Sequence, residues 1–139
     1  MILSIIFIMN QNKTIIETLS SEIPKLQAIY LFGSQNNATA TNQSDIDIAY
    51  LSEKDMSDLD RWRISQLLAN KLSKDVDLID IKKSDTIFRY QIISSATRIY
   101  GDGYEVESFE TLAYSFYLRF QEERKPIIDA IKKRKSILS

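Results

Sequence analysis

Along this chain the spacing of apolar side chains switches between a period near 3.6 and a period of 2, and the switches mark the elements. Asn10 or Asn12 is placed to cap a helix over 13–22 that carries Ile15, Ile16 and Leu19 on one side and stops before Pro24. Leu26 to Phe32 then reads as a buried strand ended by Gly33–Ser34, and the polar run 35–44 reads as a loop or a short helical turn. In 45–51 the alternation puts Asp45 and Asp47 on one face of a second strand, with Ile46, Ile48 and Tyr50 on the other. From about Asp55 to Leu72, Leu59, Trp62, Leu67, Leu68 and Leu72 form a helical stripe behind an acidic first turn that suits the helix dipole. Val76 to Ile81 is a third strand, and Asp85 to Ala96 a helix with Ile87, Phe88, Ile92 and Ile93 packed. Arg98 to Tyr100 is a short strand closed by Gly101 and Gly103. The last helix begins near Glu105, with Val106, Phe109, Leu112, Ala113, Phe116 and Phe120 as its stripe, and Pro126 is expected to kink or divide it. The order α-β-β-α-β-α-β-α predicts an α/β or α+β domain, a small mixed sheet with helices packed on it.

Length and composition narrow the chemistry. At 139 residues the chain is expected to form a single domain, with a core over about 10–100 and a helical extension over about 105–137. It has no histidine and no cysteine, which removes imidazole bases, thiol nucleophiles, disulfides and the usual zinc sites. Any metal must bind through oxygen, which favours magnesium, manganese or calcium. The opening MILSIIFIM is too short to span a bilayer and lacks a basic n-region and a small-residue cleavage site. It reads either as a segment ahead of a true start at Met9 or as an edge strand or helix extension, and the protein is expected to be soluble and cytoplasmic. A net charge of -1 shows no dominant basic surface, so direct nucleic-acid binding is not expected. Residues 119–135 nevertheless carry seven basic and three acidic side chains, a locally basic end that includes the run 132–135.

The two aspartates of the second strand raise the question of what lies between them. Side chains two residues apart on one strand face are roughly 6–7 Å apart. Two carboxylates repel by about 4 kcal/mol at ~4 Å and an effective dielectric of 20, so a cation is expected there, and magnesium fits because it takes carboxylate and phosphate oxygens. Asp77, in the third strand, is the acid a neighbouring strand would set beside this pair. Asp75 shares its parity but sits at the strand entrance, and Asp80 faces the other way. Gly33 and Ser34, at a strand end, suit a phosphate: glycine lets the backbone approach, and the hydroxyl and amide groups bind oxygens.

Gly33–Ser34, ten residues, then Asp45–Ile46–Asp47 is the GSx10DxD pattern, and on it the chain resembles the DNA polymerase β-like nucleotidyltransferases, in particular the minimal nucleotidyltransferase (MNT) group. The resemblance covers roughly residues 10–100. It implies the polymerase β-like fold, and two magnesium ions bound by Asp45 and Asp47. Asp77 would hold the metal that activates the acceptor hydroxyl, and Gly33 and Ser34 would hold the β- and γ-phosphates of ATP. Two metals so placed would stabilise the attacking and leaving oxygens of an in-line displacement.

Members of this size are similar to the antitoxins of HEPN/MNT toxin–antitoxin pairs. The resemblance therefore implies a HEPN-family ribonuclease toxin as partner and transfer of AMP to one of its tyrosine hydroxyls, as in a type VII-like antitoxin. Two other functions compete: an antitoxin that works by binding alone, and a nucleotidyltransferase acting on a small molecule such as an aminoglycoside. The latter enzymes usually add a substrate-binding domain. In the last helix Tyr114 and Tyr117 are expected to point away from the stripe and to offer a partner surface.

Overall fold

The computed structural model describes residues 2–33 and 45–138. Among these residues four strands, β1 (Leu26–Phe32), β2 (Ile46–Ser52), β3 (Val76–Asp80) and β4 (Thr97–Tyr100), form one sheet in the order β3-β2-β1-β4. β1 runs antiparallel to both β2 and β4, and β2 runs parallel to β3. The parallel pair requires a crossover, which α2 (Asp58–Leu72) supplies. The remaining helices are α1 (Ile2–Glu22), α3 (Thr86–Ser95) and α4 (Tyr104–Leu138), with a short 3-10 turn at Ile81–Lys83.

Strand alternation divides the core into two layers. Ile29 and Leu31 of β1, Ile46, Ile48 and Tyr50 of β2 and Leu78 of β3 pack with Ile15 and Leu19 of α1 and Ile64 and Leu68 of α2. Ala28, Tyr30, Ala49 and Leu51 face the opposite way, toward Ile92 of α3 and Val106 of α4. Asp47 has the parity of Ala49, so it belongs to the α3/α4 face. Asp80 has the opposite parity, is buried, and accepts the Lys82 amide through Oδ1 at 3.0 Å.

Helix ends follow local chemistry. The Ser57 hydroxyl accepts the Asp60 amide at 3.1 Å to start α2, and Asp85 accepts the Phe88 amide at 2.8 Å to start α3. Asn10 and Asn12 cap nothing: α1 begins at Ile2 and runs through them, because no residue of the apolar run 2–9 interrupts a helix. The side chains of that run are exposed.

The stripes of α2 and α4 differ from the expected ones. In α2 the buried positions are Ile64, Ser65 and Leu68, whereas Leu59 is 70% and Trp62 60% exposed. At 3.6 residues per turn Leu59 stands roughly 180° and Trp62 roughly 120° around the helix from Leu68, so the sheet cannot hold all three. In α4 the inward row is Val106, Glu110, Ala113 and Tyr117, with Phe109 half-buried, because α3 lies alongside and Arg98 pairs with Glu110 at 2.6 Å. Leu112 and Phe116 are exposed, Phe116 by 44%. Tyr117 does not point away: its ring stacks on Tyr90 of α3 at 3.7 Å, and Tyr114 meets the same ring edge-on at 5.4 Å. Pro126 sits inside α4 and does not divide it.

Candidate functional site

The end of β1 and the beginnings of β2 and β3 meet at one end of the sheet. Phe32 pairs with Asp47 across the antiparallel ladder, and Asp47 pairs with Asp77 across the parallel one. Phe32, Asp47 and Asp77 therefore form one row on one face, and directly opposed Cβ atoms in such rows stand about 4.5–5.5 Å apart. Asp45 lies two residues before Asp47, just outside the strand. The parity argument that preferred Asp77 to Asp80 matches this register, since Asp80 is opposite Tyr50 and on the other face.

Gly33 closes β1 with φ +70, and a Cβ at this position would collide with a carboxylate oxygen of Asp47. Both facts require glycine: the left-handed backbone and the space taken by the carboxylate. The sequence supplied the residue but not this reason for it. Ser34 and the rest of the expected phosphate loop lie outside the described residues.

Asp47 is half-buried, and its pKa is raised, first by burial and then by the negative charges of Asp77 and Asp45. A carboxylate held in the ionised form here gains from a cation or a hydrogen-bond donor. Among the described residues no group of three carboxylates forms a ready-made metal cage. Magnesium does not need one, because it is commonly held by one or two carboxylates together with substrate phosphates and water. The proximity of the Asp77 and Asp45 charges to Asp47 and the all-oxygen donor set of these three residues fit that mode of binding.

Among the described residues, two shallow clefts adjoin these acids. One of about 470 Å³ is bordered by Asp45, Gln66, Asn70 and Lys74, and desolvation lowers the Lys74 pKa. The other, about 270 Å³, runs along Val76, Asp77 and Leu78, with Arg61, Trp62 and Gln66 of α2 on its other wall. Larger clefts of about 510 and 660 Å³ border Met56 and Tyr100 and hold none of the three acids. Trp62 at the site's margin was missed by the stripe reading; its angular offset from Leu68 was the available signal.

The profile of the family "Polymerase beta, nucleotidyltransferase" matches residues 13–105. The protein adenylyltransferase MntA of Shewanella oneidensis is 40% identical over 123 residues, which is 88% of this chain and 88% of that protein. A crystal structure of a toxin–antitoxin with AMP-PNP superposes with a TM-score of 0.78 at 38% identity, covering 87% of this chain and 98% of the matched one. A structure of the tri-AMPylated Shewanella oneidensis HEPN toxin in complex with the MNT antitoxin gives a TM-score of 0.76 at 35% identity, covering 90% and 98%.

Proposed function

We propose, from the premise that this chain belongs to the polymerase β nucleotidyltransferase family, that it is a protein adenylyltransferase antitoxin: it transfers AMP from ATP to a tyrosine hydroxyl of a cognate HEPN ribonuclease and so silences it. The observation that carries the reading is the row Asp47–Asp77 with Gly33 folded against Asp47, in a chain 40% identical to a protein adenylyltransferase. The relatives crystallised with AMP-PNP and with an AMPylated HEPN toxin support the nucleotide and the acceptor.

Asp45 and Asp47 would hold magnesium together with the triphosphate, and Asp77 the acceptor-side ion; bound there, magnesium would neutralise the phosphates and lower the cost of the developing charge. Gly33 leaves room for the Asp47 carboxylate and, with Ser34, orients the β- and γ-phosphates. The acceptor oxygen forms its bond to the α-phosphorus as the bond to the bridging oxygen breaks. AMP stays on the tyrosine, pyrophosphate leaves, and Asp77 takes the hydroxyl proton. A phosphate and a base attached beside a ribonuclease site place negative charge and bulk where RNA must bind. Among the described residues no helix is long and apolar enough to cross a membrane, and the reaction is assigned to the cytoplasm, where ATP and an RNase target coexist.

The test is catalytic stoichiometry. Substoichiometric protein with ATP and magnesium should inactivate a molar excess of the HEPN partner, add one AMP mass or a multiple of it, and leave the partner inactive after separation. Inhibition that follows a one-to-one complex and needs no ATP makes the protein a binding antitoxin. Transfer to an aminoglycoside but not to the partner makes it a small-molecule enzyme.

A further inference from the structure

The row Phe32–Asp47–Asp77 ends at β3, and among the described residues no strand lies beyond it. We propose that the acceptor segment of the modified protein binds as an added strand on the free edge of β3, with its tyrosine in the next place of that row, beside Asp77. The inference rests on the adenylyltransferase reading and names the surface on which its acceptor docks.

Three observations carry it. The first is backbone direction. The Ile46 amide donates to the Asp75 carbonyl at 2.9 Å, which fixes the phase of the parallel ladder: Asp75, Asp77 and Ile79 direct their amide and carbonyl groups to β2. Val76 and Leu78 therefore turn theirs outward, toward any added strand. The second is space. The cleft of about 270 Å³ follows Val76, Asp77 and Leu78, so the edge is open where the strand would lie. The third is Trp62, 60% exposed on the α2 wall of that cleft. Aromatic side chains so exposed are favoured at protein contacts, where they bury a large area at little entropic cost.

An added strand alternates like any other. Its residue opposite Asp77 shares the face of Asp47 and Asp77, while the residues before and after it turn to the α2 side, against Trp62 and Gln66. Main-chain bonds supply affinity and alternate side chains supply selection, as in other edge-strand complexes. A tyrosine in that place projects its hydroxyl past the shorter Asp77 side chain, toward a phosphorus lying above the carboxylates. A serine there stays level with the sheet and falls short. The other edge of the sheet, β4, lies on the far side of β1 from Asp47 and Asp77 and cannot do this.

The test uses the full chain and the purified HEPN partner with ATP and magnesium. Wild-type protein that modifies nothing overturns the adenylyltransferase reading itself, so that failure is distinct. Given transfer, Val76→Pro deletes one outward amide at the first residue of a strand, a position that tolerates proline, and leaves the β2 ladder in place. It should raise the KM for the partner tenfold or more, with affinity for a non-hydrolysable ATP analogue unchanged, while Val76→Ile, which keeps the amide, behaves as wild type. Trp62→Ala should raise the same KM several-fold, and the Leu78 amide should exchange with deuterium at least tenfold more slowly when the partner is bound. Should Val76→Pro fail to fold, Trp62→Ala and the Leu78 exchange decide. Unchanged partner KM in the folded variants together with unchanged Leu78 exchange overturns strand addition.

Discussion

Asp47 carries the strongest consequence at the level of single residues. Burial and two neighbouring carboxylates raise its pKa in the folded chain. An acid with a raised folded pKa binds more protons folded than unfolded, so metal-free stability falls as pH rises from the ordinary carboxylate value through the folded one, and the deficit persists above it. Asp47→Asn should therefore flatten the metal-free stability profile across that window and raise the melting temperature at neutral pH, while cutting AMP transfer about a hundredfold or more, a barrier increase of ~2.7 kcal/mol or more. A pair of thermal melts at low and neutral pH and one transfer assay check both halves, and wild-type transfer would remove Asp47 from the reaction. Asp45→Asn should cost transfer similarly. Gly33→Ala meets a different obstacle, since its φ of +70 and the Asp47 carboxylate both oppose a methyl group. Destabilisation of about 1–2 kcal/mol is expected from the backbone alone, with loss of activity as Asp47 is displaced.

At the scale of elements, the parallel pairing of β2 with β3 brings Asp77 beside Asp47 at the sheet edge, and the proposed reaction gives it the acceptor side. Asp77→Asn should lower kcat by tenfold or more while leaving affinity for a non-hydrolysable ATP analogue within about twofold, because the proposed reaction has the triphosphate gripped from the Gly33 side. Equal losses in calorimetric titration and in rate would move Asp77 to the nucleotide. The strands were legible in the sequence: a buried apolar run ended by Gly33–Ser34 marked β1 at Leu26–Phe32, and alternation put Asp45 and Asp47 opposite Ile46 and Ile48 and separated Asp77 from Asp80. Period 2 leaves only two faces, so one buried isoleucine settles the rest. Helical faces were less legible. Apolar residues scattered around α2 and α4 admit several stripes, and the choice depends on neighbours that composition does not reveal, such as Tyr90 stacking on Tyr117 or Arg98 reaching Glu110. The pairing order of the sheet was equally hidden, since it depends on which strands the crossover α2 connects. The reason for Gly33 needed the coordinates of the Asp47 carboxylate.

On the scale of the whole molecule, α4 outgrows the domain it belongs to. Its 35 residues extend roughly 50 Å at 1.5 Å per residue. Its buried positions, Val106 and Ala113, and its stack through Tyr117 all lie in the first half. In the second half Ile127 and Ile131 are exposed among the basic residues of 119–135 and Ile137 just after them, and Pro126 removes a helix amide at a cost of about 3 kcal/mol. A helix segment with that penalty and no packed face is weak by itself, because helices in proteins draw most of their stability from tertiary contact. Amides beyond Pro126 should therefore exchange with deuterium nearly unprotected in the isolated protein and become protected when the HEPN partner binds. Truncation after Glu122 removes no buried side chain among the described residues, so thermal stability should change by no more than about 0.5 kcal/mol, as for surface changes generally, and affinity for the ATP analogue should hold. Partner association should weaken tenfold or more, and its rate should lose part of its salt dependence with the basic segment gone. Tyr117→Glu would not separate these effects, since it breaks the stack on Tyr90 and loosens α3 from α4. If the truncated protein instead binds and modifies the partner as the full chain does, the distal helix lies outside the docking surface and recognition is confined to the catalytic domain.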